Sequence, residues 1–235
     1  SKMRTAMGAA AVEAARAVGY ENAGTVEFLF DPAAQAFYFL EMNTRLQVEH
    51  PVTECVTGLD LVDLQLRIAE GKPLPLKQEE VVLSGWAIEA RLYAEDPAHG
   101  FLPQTGRITA LQFADGAGVR VDAGVEAGDE VTAFYDPMIA KVIASGATRD
   151  EAREKLASAL EQTTLLGLTT NASFLVELLR DEAFAAGGAD IDYIEANLAQ
   201  MAPPPAPVSA LEAALAAAIL MDRRPGDLLT GWNSR

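Results

Sequence analysis

The sequence predicts an α+β chain, and three observations carry that prediction. Two strand-like runs lie one short turn apart near the start, at residues 25–30 and 36–43. A later region holds short runs of alternating apolar and polar residues separated by glycine-rich turns. Segments with apolar residues three and four positions apart flank both regions and read as helices packed on antiparallel strands.

In chain order, Met3, Met7, Ala11, Ala14, Ala15 and Val18 give an amphipathic helix over 3–18, which Gly19 ends. Thr25–Phe30 and Ala36–Asn43 form a hairpin around the polar turn at Asp31-Pro32. A loop, Thr44–Pro51, follows, and Pro51 disfavours a helical conformation at His50. A helix runs from about Asp60 to Glu70 and is stopped by Gly71 and Pro73. From Val81 onward the expected strands are Trp86–Tyr93, Gly106–Phe113, Val119–Asp122 and Met138–Ala144. Thr148 and Glu151 have the spacing of a capping box for a helix over about 149–164, and Asn171–Leu179 is a further short helix. The run Pro203-Pro204-Pro205-Ala206-Pro207 marks a linker before an alanine-rich helix near 208–221 and a tail containing Gly231-Trp232-Asn233.

Composition bounds the function. The chain has 235 residues, half of them hydrophobic, enough for one large domain or two small ones. Its net charge of −16 comes without the basic stripe of a nucleic-acid binder. No apolar run reaches the roughly 18 residues of a membrane span. Cys55 is the single cysteine, so no internal disulfide forms, which fits a reducing, cytoplasmic setting. The start at Ser1 lacks a signal-peptide layout and an initiator methionine, and the expectation is a cut or processed chain.

The hairpin and the following loop carry the chemistry. A turn centred near Ala34 puts Glu27 opposite Glu41, and Asn43 shares their face. Facing carboxylates repel unless a cation lies between them. Two carboxylates and an amide oxygen suit Mg²⁺ or Mn²⁺; the alternative is that one glutamate faces solvent beside a basic neighbour. In the loop, the Arg45 guanidinium matches a carboxylate or bicarbonate, Gln47 donates to the same anion, and Glu49 is a candidate general base. Composition alone also reads this segment as an ordinary polar loop. His50 is given a structural role, since His99 is the sole other histidine, and Cys55 that of a small buried apolar residue. On the strand 86–93, Glu89, Arg91 and Tyr93 share one face. Either that face is solvated and Glu89 pairs with Arg91, or Arg91 points into a cleft to hold developing negative charge.

The run Phe39-Leu40-Glu41-Met42-Asn43-Thr44-Arg45-Leu46-Gln47-Val48-Glu49-His50-Pro51-Val52-Thr53-Glu54 resembles the signature of biotin carboxylases, within the ATP-grasp superfamily. Gly24–Phe28, Glu89–Pro97, Phe101–Pro103 and Tyr135–Lys141 agree with it, and the likeness covers about residues 1–200. The Glu and Glu-x-Asn set is shared by many ATP-grasp ligases, whereas the continuation through Arg45 to Pro51 is much narrower. The resemblance implies residues 1–80 as the C-terminal part of an ATP-grasp domain. It implies 81–200 as a biotin carboxylase C-terminal domain, and 201–235 as the linker and the start of a following domain.

It also implies roles. Glu27, Glu41 and Asn43 match the metal ligands that hold the ATP phosphates, with the two glutamates on the ATP side. Arg45, Gln47 and the backbone of Val48 match the bicarbonate group, Glu49 the base, and Arg91 the residue that steadies the biotin enolate and helps hold bicarbonate. Asp136 and Lys141 match a family motif without an assigned catalytic role. The implied reaction is ATP-dependent carboxylation of biotin through carboxyphosphate. The implied partners are a biotin-carrier domain, a carboxyltransferase subunit and a second copy of the module in a homodimer. The end of the chain resembles acyl-CoA carboxylase α subunits of the methylcrotonyl or propionyl type. The family's glycine-rich lid and adenine-binding lysines are not in this sequence, so the chain by itself is expected to be inactive and weakly stable or aggregation-prone. Two other readings stand beside this one: another ATP-grasp ligase, and a non-catalytic scaffold that binds a carboxylase partner.

Overall fold

The computed structural model describes residues 2–190, 192–203, 209, 210 and 214. Helix α1, Lys2–Ala17, carries a half-buried stripe of Met3, Met7, Ala11, Ala14 and Ala15, while Val18 lies beyond it and is exposed. Gly19 takes a left-handed φ of 61°, and the N–H groups of Gly19 and Tyr20 cap the Arg16 and Ala15 carbonyls. Strands β1, Thr25–Asp31, and β2, Ala36–Asn43, pair antiparallel as expected. Asp31 Oδ1 shapes their turn by accepting from the Ala33 and Ala34 N–H groups at 2.8 and 3.0 Å.

The segment after β2 departs from the sequence expectation. Helix α2 begins at His50 and runs to Thr57, with Pro51 in its first turn. There an absent N–H costs nothing, because the first turn of a helix has no internal acceptor for it. Helix α3, Leu61–Ala69, follows, capped by the Asp60 carboxylate on the Asp63 N–H at 2.8 Å.

A three-stranded antiparallel sheet organises the rest, in the order β3 (Trp86–Tyr93), β10 (Met138–Gly146), β8 (Val119–Ala123). Around it lie two-stranded ladders: β4 (Glu95–Asp96) with β5 (Leu102–Pro103), β6 (Gly106–Arg107) with β9 (Glu130–Val131), and β7 (Ala110–Gln112) with β11 (Thr164–Leu166). The single strand expected over Gly106–Phe113 is therefore two. The chain changes partners at Ile108-Thr109, whose N–H groups donate to Asp129 and Leu166 carbonyls on different ladders.

The sheet has two unlike faces. Ala90, Val142 and Ala144 are buried against α4 (Arg149–Gln162) and α5 (Ala172–Arg180), with Leu156, Leu160, Val176 and Leu179 completing that core. A second cluster around Leu92, Ile108 and Ile139 packs beside it. The opposite face carries Glu89, Arg91, Lys141, Asp122 and Arg120, and α2 packs on that side. The capping box of α4 holds in part. Thr148 Oγ1 accepts from the Glu151 N–H, but Glu151 reaches the Ala147 N–H. Helices α6 (Glu182–Ala185) and α7 (Tyr193–Met201) close the described structure. The linker beyond Pro203, the alanine-rich helix near 208–221 and the tail with Gly231-Trp232-Asn233 lie outside the described residues, but for Ser209, Ala210 and Ala214.

Candidate active site

The hairpin brings Glu27 directly opposite Glu41 and Thr25 opposite Asn43. A bulge makes this possible. Below the site Phe28 pairs with Phe39, so Leu40 is the extra residue that shifts β2 by one position. Asn43 Nδ2 donates to Glu27 Oε1 at 2.7 Å and to Glu41 Oε1 at 3.1 Å. The three side chains thus converge, with Glu27 partly buried and Glu41 exposed. The two carboxylates supply oxygens that suit a hard divalent ion, but Asn43 turns its amide nitrogen to them and its Oδ1 to Arg45, so its oxygen joins the set only if the amide turns over. Among the described residues, no group of three or more His, Cys, Asp or Glu offers another metal site. Gly24 lies against this corner, where a Cβ would come within 3.2 Å of the Asn43 carbonyl.

The polar chain continues into the loop. Arg45 Nη2 donates to Asn43 Oδ1 at 3.4 Å, and its Nη1 to Gln47 Oε1 at 3.1 Å. Arg45, Gln47, Glu49 and His50 line one cavity of about 320 Å³ with Gly24 and Thr25. His50 is a structural residue: its Nδ1 lies 2.9 Å from the Gln47 carbonyl and pins the loop to the start of α2. Glu49 occupies the N-cap position of α2 without capping it. Its carboxylate reaches instead across to β3, where Arg91 Nη2 donates to Glu49 Oε2 at 2.8 Å.

That contact corrects one expectation. Arg91 pairs with Glu49, 42 residues away, and not with its strand neighbour Glu89. Both Glu89 carboxylate oxygens are buried and have no hydrogen-bond partner among the described residues. Burial pushes the Glu89 carboxyl up to about 7; Lys141 and Arg91 oppose the shift, Glu49 and Asp122 add to it. Cys55 is only half-buried, and burial raises its thiol against the opposing pull of Arg120.

Sequence reasoning left Lys141 without a role, yet it sits at the join. Its Nζ donates to the Val48 carbonyl at 3.4 Å and pairs with Asp122 at 3.2 Å, and its side chain is 12% exposed. Burial alone would raise the Asp122 carboxyl, but hydrogen bonds from Arg120 and Lys141 hold it below the usual range. Glu54 and Arg120 were also missed. Arg120 Nη1 donates to Glu54 Oε2 at 2.6 Å, while its other nitrogens form a fork on Asp122 at 2.8 and 2.9 Å. The available signal was a lysine inside the otherwise apolar run Met138–Ala144; nothing local announces Glu54. The sequence-derived candidates, from Glu27 to Arg91, line a polar path from the hairpin to the sheet in three separately bonded pieces. Asn43 and Arg45 join Glu27 and Glu41 to Gln47, Lys141 holds the Val48 carbonyl, and Arg91 holds Glu49.

Comparison with known proteins places this path in context. Residues 89–196 match the family model described as the biotin carboxylase C-terminal domain. Residues 1–77 match that of the carbamoyl-phosphate synthase L chain, ATP binding domain. The α subunit of mitochondrial methylcrotonoyl-CoA carboxylase from Arabidopsis thaliana is 53% identical over 83% of this chain and 27% of its own length. Biotin carboxylase 1 of Bacillus subtilis is 49% identical over 83% of this chain and 43% of its own length. The chain therefore spans between a quarter and a half of these relatives. The crystal structure of the Hydrogenobacter thermophilus 2-oxoglutarate carboxylase biotin carboxylase domain dimer is 39% identical and superimposes with a TM-score of 0.82. The match covers 87% of this chain and 45% of that one, and that dimer holds MgADP, ADP and bicarbonate.

Proposed function

Because this chain belongs to the biotin carboxylase family, we propose that it supplies the metal-, bicarbonate- and biotin-facing half of an ATP-dependent biotin carboxylase, acting within a longer polypeptide. The observation that carries the reading is the Glu49–Arg91 contact at 2.8 Å, beside the cavity lined by Arg45 and Gln47. It joins a candidate base, a candidate anion cradle and a guanidinium across two parts of the chain.

In this reading, bicarbonate enters the cavity as an anion and meets the Arg45 guanidinium, the Gln47 amide and the Val48 backbone. Glu49 takes its proton, which leaves an oxygen able to attack the terminal phosphoryl group of ATP. ADP leaves as the phosphoryl group passes to that oxygen, the resulting mixed anhydride breaks down to CO₂ and phosphate, and the phosphate takes the biotin N–H proton as CO₂ adds there. Arg91 offers its fork to negative charge on the biotin acceptor. Mg²⁺ or Mn²⁺ at Glu27, Glu41 and Asn43 would neutralise phosphate charge. Mg²⁺ has the support of the bound MgADP in the Hydrogenobacter relative. Residues 1–80 act as the ATP-grasp part and 81–200 as the biotin carboxylase C-terminal domain. A carrier domain bearing biotin, a carboxyltransferase subunit and a second copy of the module are the proposed partners. The match over residues 89–196 favours this reading over other ATP-grasp ligases.

The test is bicarbonate-dependent ATP turnover in a polypeptide that carries this chain with a complete ATP-binding module. Glu49→Gln should lower kcat by about 10²-fold or more while leaving ATP affinity near normal. Near-normal turnover in that variant would refute the assignment of Glu49, and turnover indifferent to biotin would favour another ligase.

A further inference from the structure

A buried carboxyl group without a protein partner is costly and calls for a physical reason. Glu89 is such a group. It stands two residues from Arg91 on the same face of β3, so both side chains point under α2. Its cross-strand neighbour on β10 is Ile143, and Lys141 lies diagonally beside it. The charged and titratable groups around it are Lys141 on β10, Arg91 on its own strand, Glu49 and Cys55 on the α2 side, and Asp122 on β8. Of the two cations, Lys141 is engaged by Asp122 and the Val48 carbonyl, and Arg91 by Glu49.

We propose that Glu89 is a positioning residue: an alternate partner for Arg91 that, once ionised, draws the guanidinium off Glu49 and leaves Glu49 free to act as base. This deepens the function proposed above and rests on it. Arg91 occupies Glu49 Oε2 at 2.8 Å, so that oxygen is not open to a substrate proton while the contact lasts. Ionised Glu89 offers Arg91 a second carboxylate two residues away on the same strand face and clears that oxygen. No bond to Glu89 forms or breaks in the reaction. Its own proton exchanges with solvent, and the bicarbonate proton goes to Glu49. Burial, which pushes the Glu89 carboxyl up to about 7, sets the pH at which the alternate partner becomes available.

Two measurements decide it. In the polypeptide with a complete ATP-binding module, kcat/KM for bicarbonate is followed from about pH 6 to 8.5 in wild type and Glu89→Gln. The amide keeps the shape and removes the charge. The expected ratio of variant to wild type is near one at about pH 6 and falls several-fold by about pH 8, with its midpoint near 7. A ratio constant across pH, whatever its size, would mean a structural role and overturn the proposal. In the same longer polypeptide, ¹³C NMR of labelled glutamate carboxyls should show one titration near pH 7 that Glu89→Gln removes. The Arg91 side-chain nitrogens should shift at the same midpoint. An Arg91 signal that ignores that titration overturns the partner exchange, even if turnover is absent. Retained turnover in Glu49→Gln refutes the base assignment and this proposal with it, whereas a pH-independent ratio or a silent Arg91 signal refutes the partner exchange alone.

Discussion

Replacing Glu54 with alanine should destabilise the chain by roughly 3 kcal/mol, although Glu54 touches no substrate position. Glu54 is 9% exposed and holds three elements together. Its Oε1 accepts from the Leu61 N–H at 2.8 Å, in the first turn of α3, and its Oε2 from Arg120 on β8 at 2.6 Å. Losing a charged acceptor from the half-buried Leu61 N–H costs about 1–2 kcal/mol. The Arg120 contact adds less, about 0.5–1 kcal/mol, because Arg120 is 40% exposed and keeps its fork on Asp122. Loss of the buried methylene contributes about 0.8 kcal/mol more. Glu54→Gln keeps one acceptor oxygen and should cost about 1 kcal/mol. Urea unfolding followed by circular dichroism measures both, read as a shift of midpoint at constant slope. A loss below about 1 kcal/mol in Glu54→Ala, with the slope unchanged, would refute the claim that this carboxylate pins α2 to α3 and the sheet.

Other perturbations follow from the same contacts. Glu27→Gln should weaken Mn²⁺ binding at least tenfold, by calorimetry or electron paramagnetic resonance, since it removes one of two carboxylates from the oxygen set tied by Asn43. Asn171→Ala should cost about 1–3 kcal/mol, because its buried amide serves the free edge of β3. Asn171 accepts from the Tyr93 N–H at 2.9 Å and donates to the Arg91 carbonyl at 3.2 Å, so the variant should also loosen Arg91. The raised Glu89 carboxyl makes stability depend on pH. The native state keeps a proton that the unfolded chain has already lost. Stability should therefore decline as pH rises from about 4.5 to about 7, by roughly 1–2 kcal/mol after allowance for solvent screening. Glu89→Gln should flatten that decline in urea titrations, and an unchanged slope against pH would contradict the buried state of the group.

Local pattern was enough for much of the fold. The hairpin, α3, α4, α5 and the long strands β3 and β10 stand where periodicity and caps put them. Helix α2 was not legible, because a proline read as a breaker of what precedes it is also an ordinary first-turn residue. The short ladders β4–β5, β6–β9 and β7–β11 were illegible for another reason. Two or three residues carry too little alternation to stand out, and what makes them strands is the partner they meet. The facing of Glu27 and Glu41 was legible from the turn position, but the bulge at Leu40 that realises it was not.

By itself the sequence determined the chemistry available: which carboxylates, amides and guanidinium groups exist, and that Glu27, Glu41 and Asn43 share a hairpin face. Those relations are local, and strand alternation and turn position enforce them over a few residues. Tertiary structure alone decided that Arg91 belongs to Glu49, that Lys141 holds the Val48 carbonyl, that Arg120 holds Glu54, and that Glu89 is left buried without a partner. Each of those choices spans 42 residues or more, or depends on what α2 covers. A charge shows its own sign along the chain, but its partner is settled only where the chain returns to meet it.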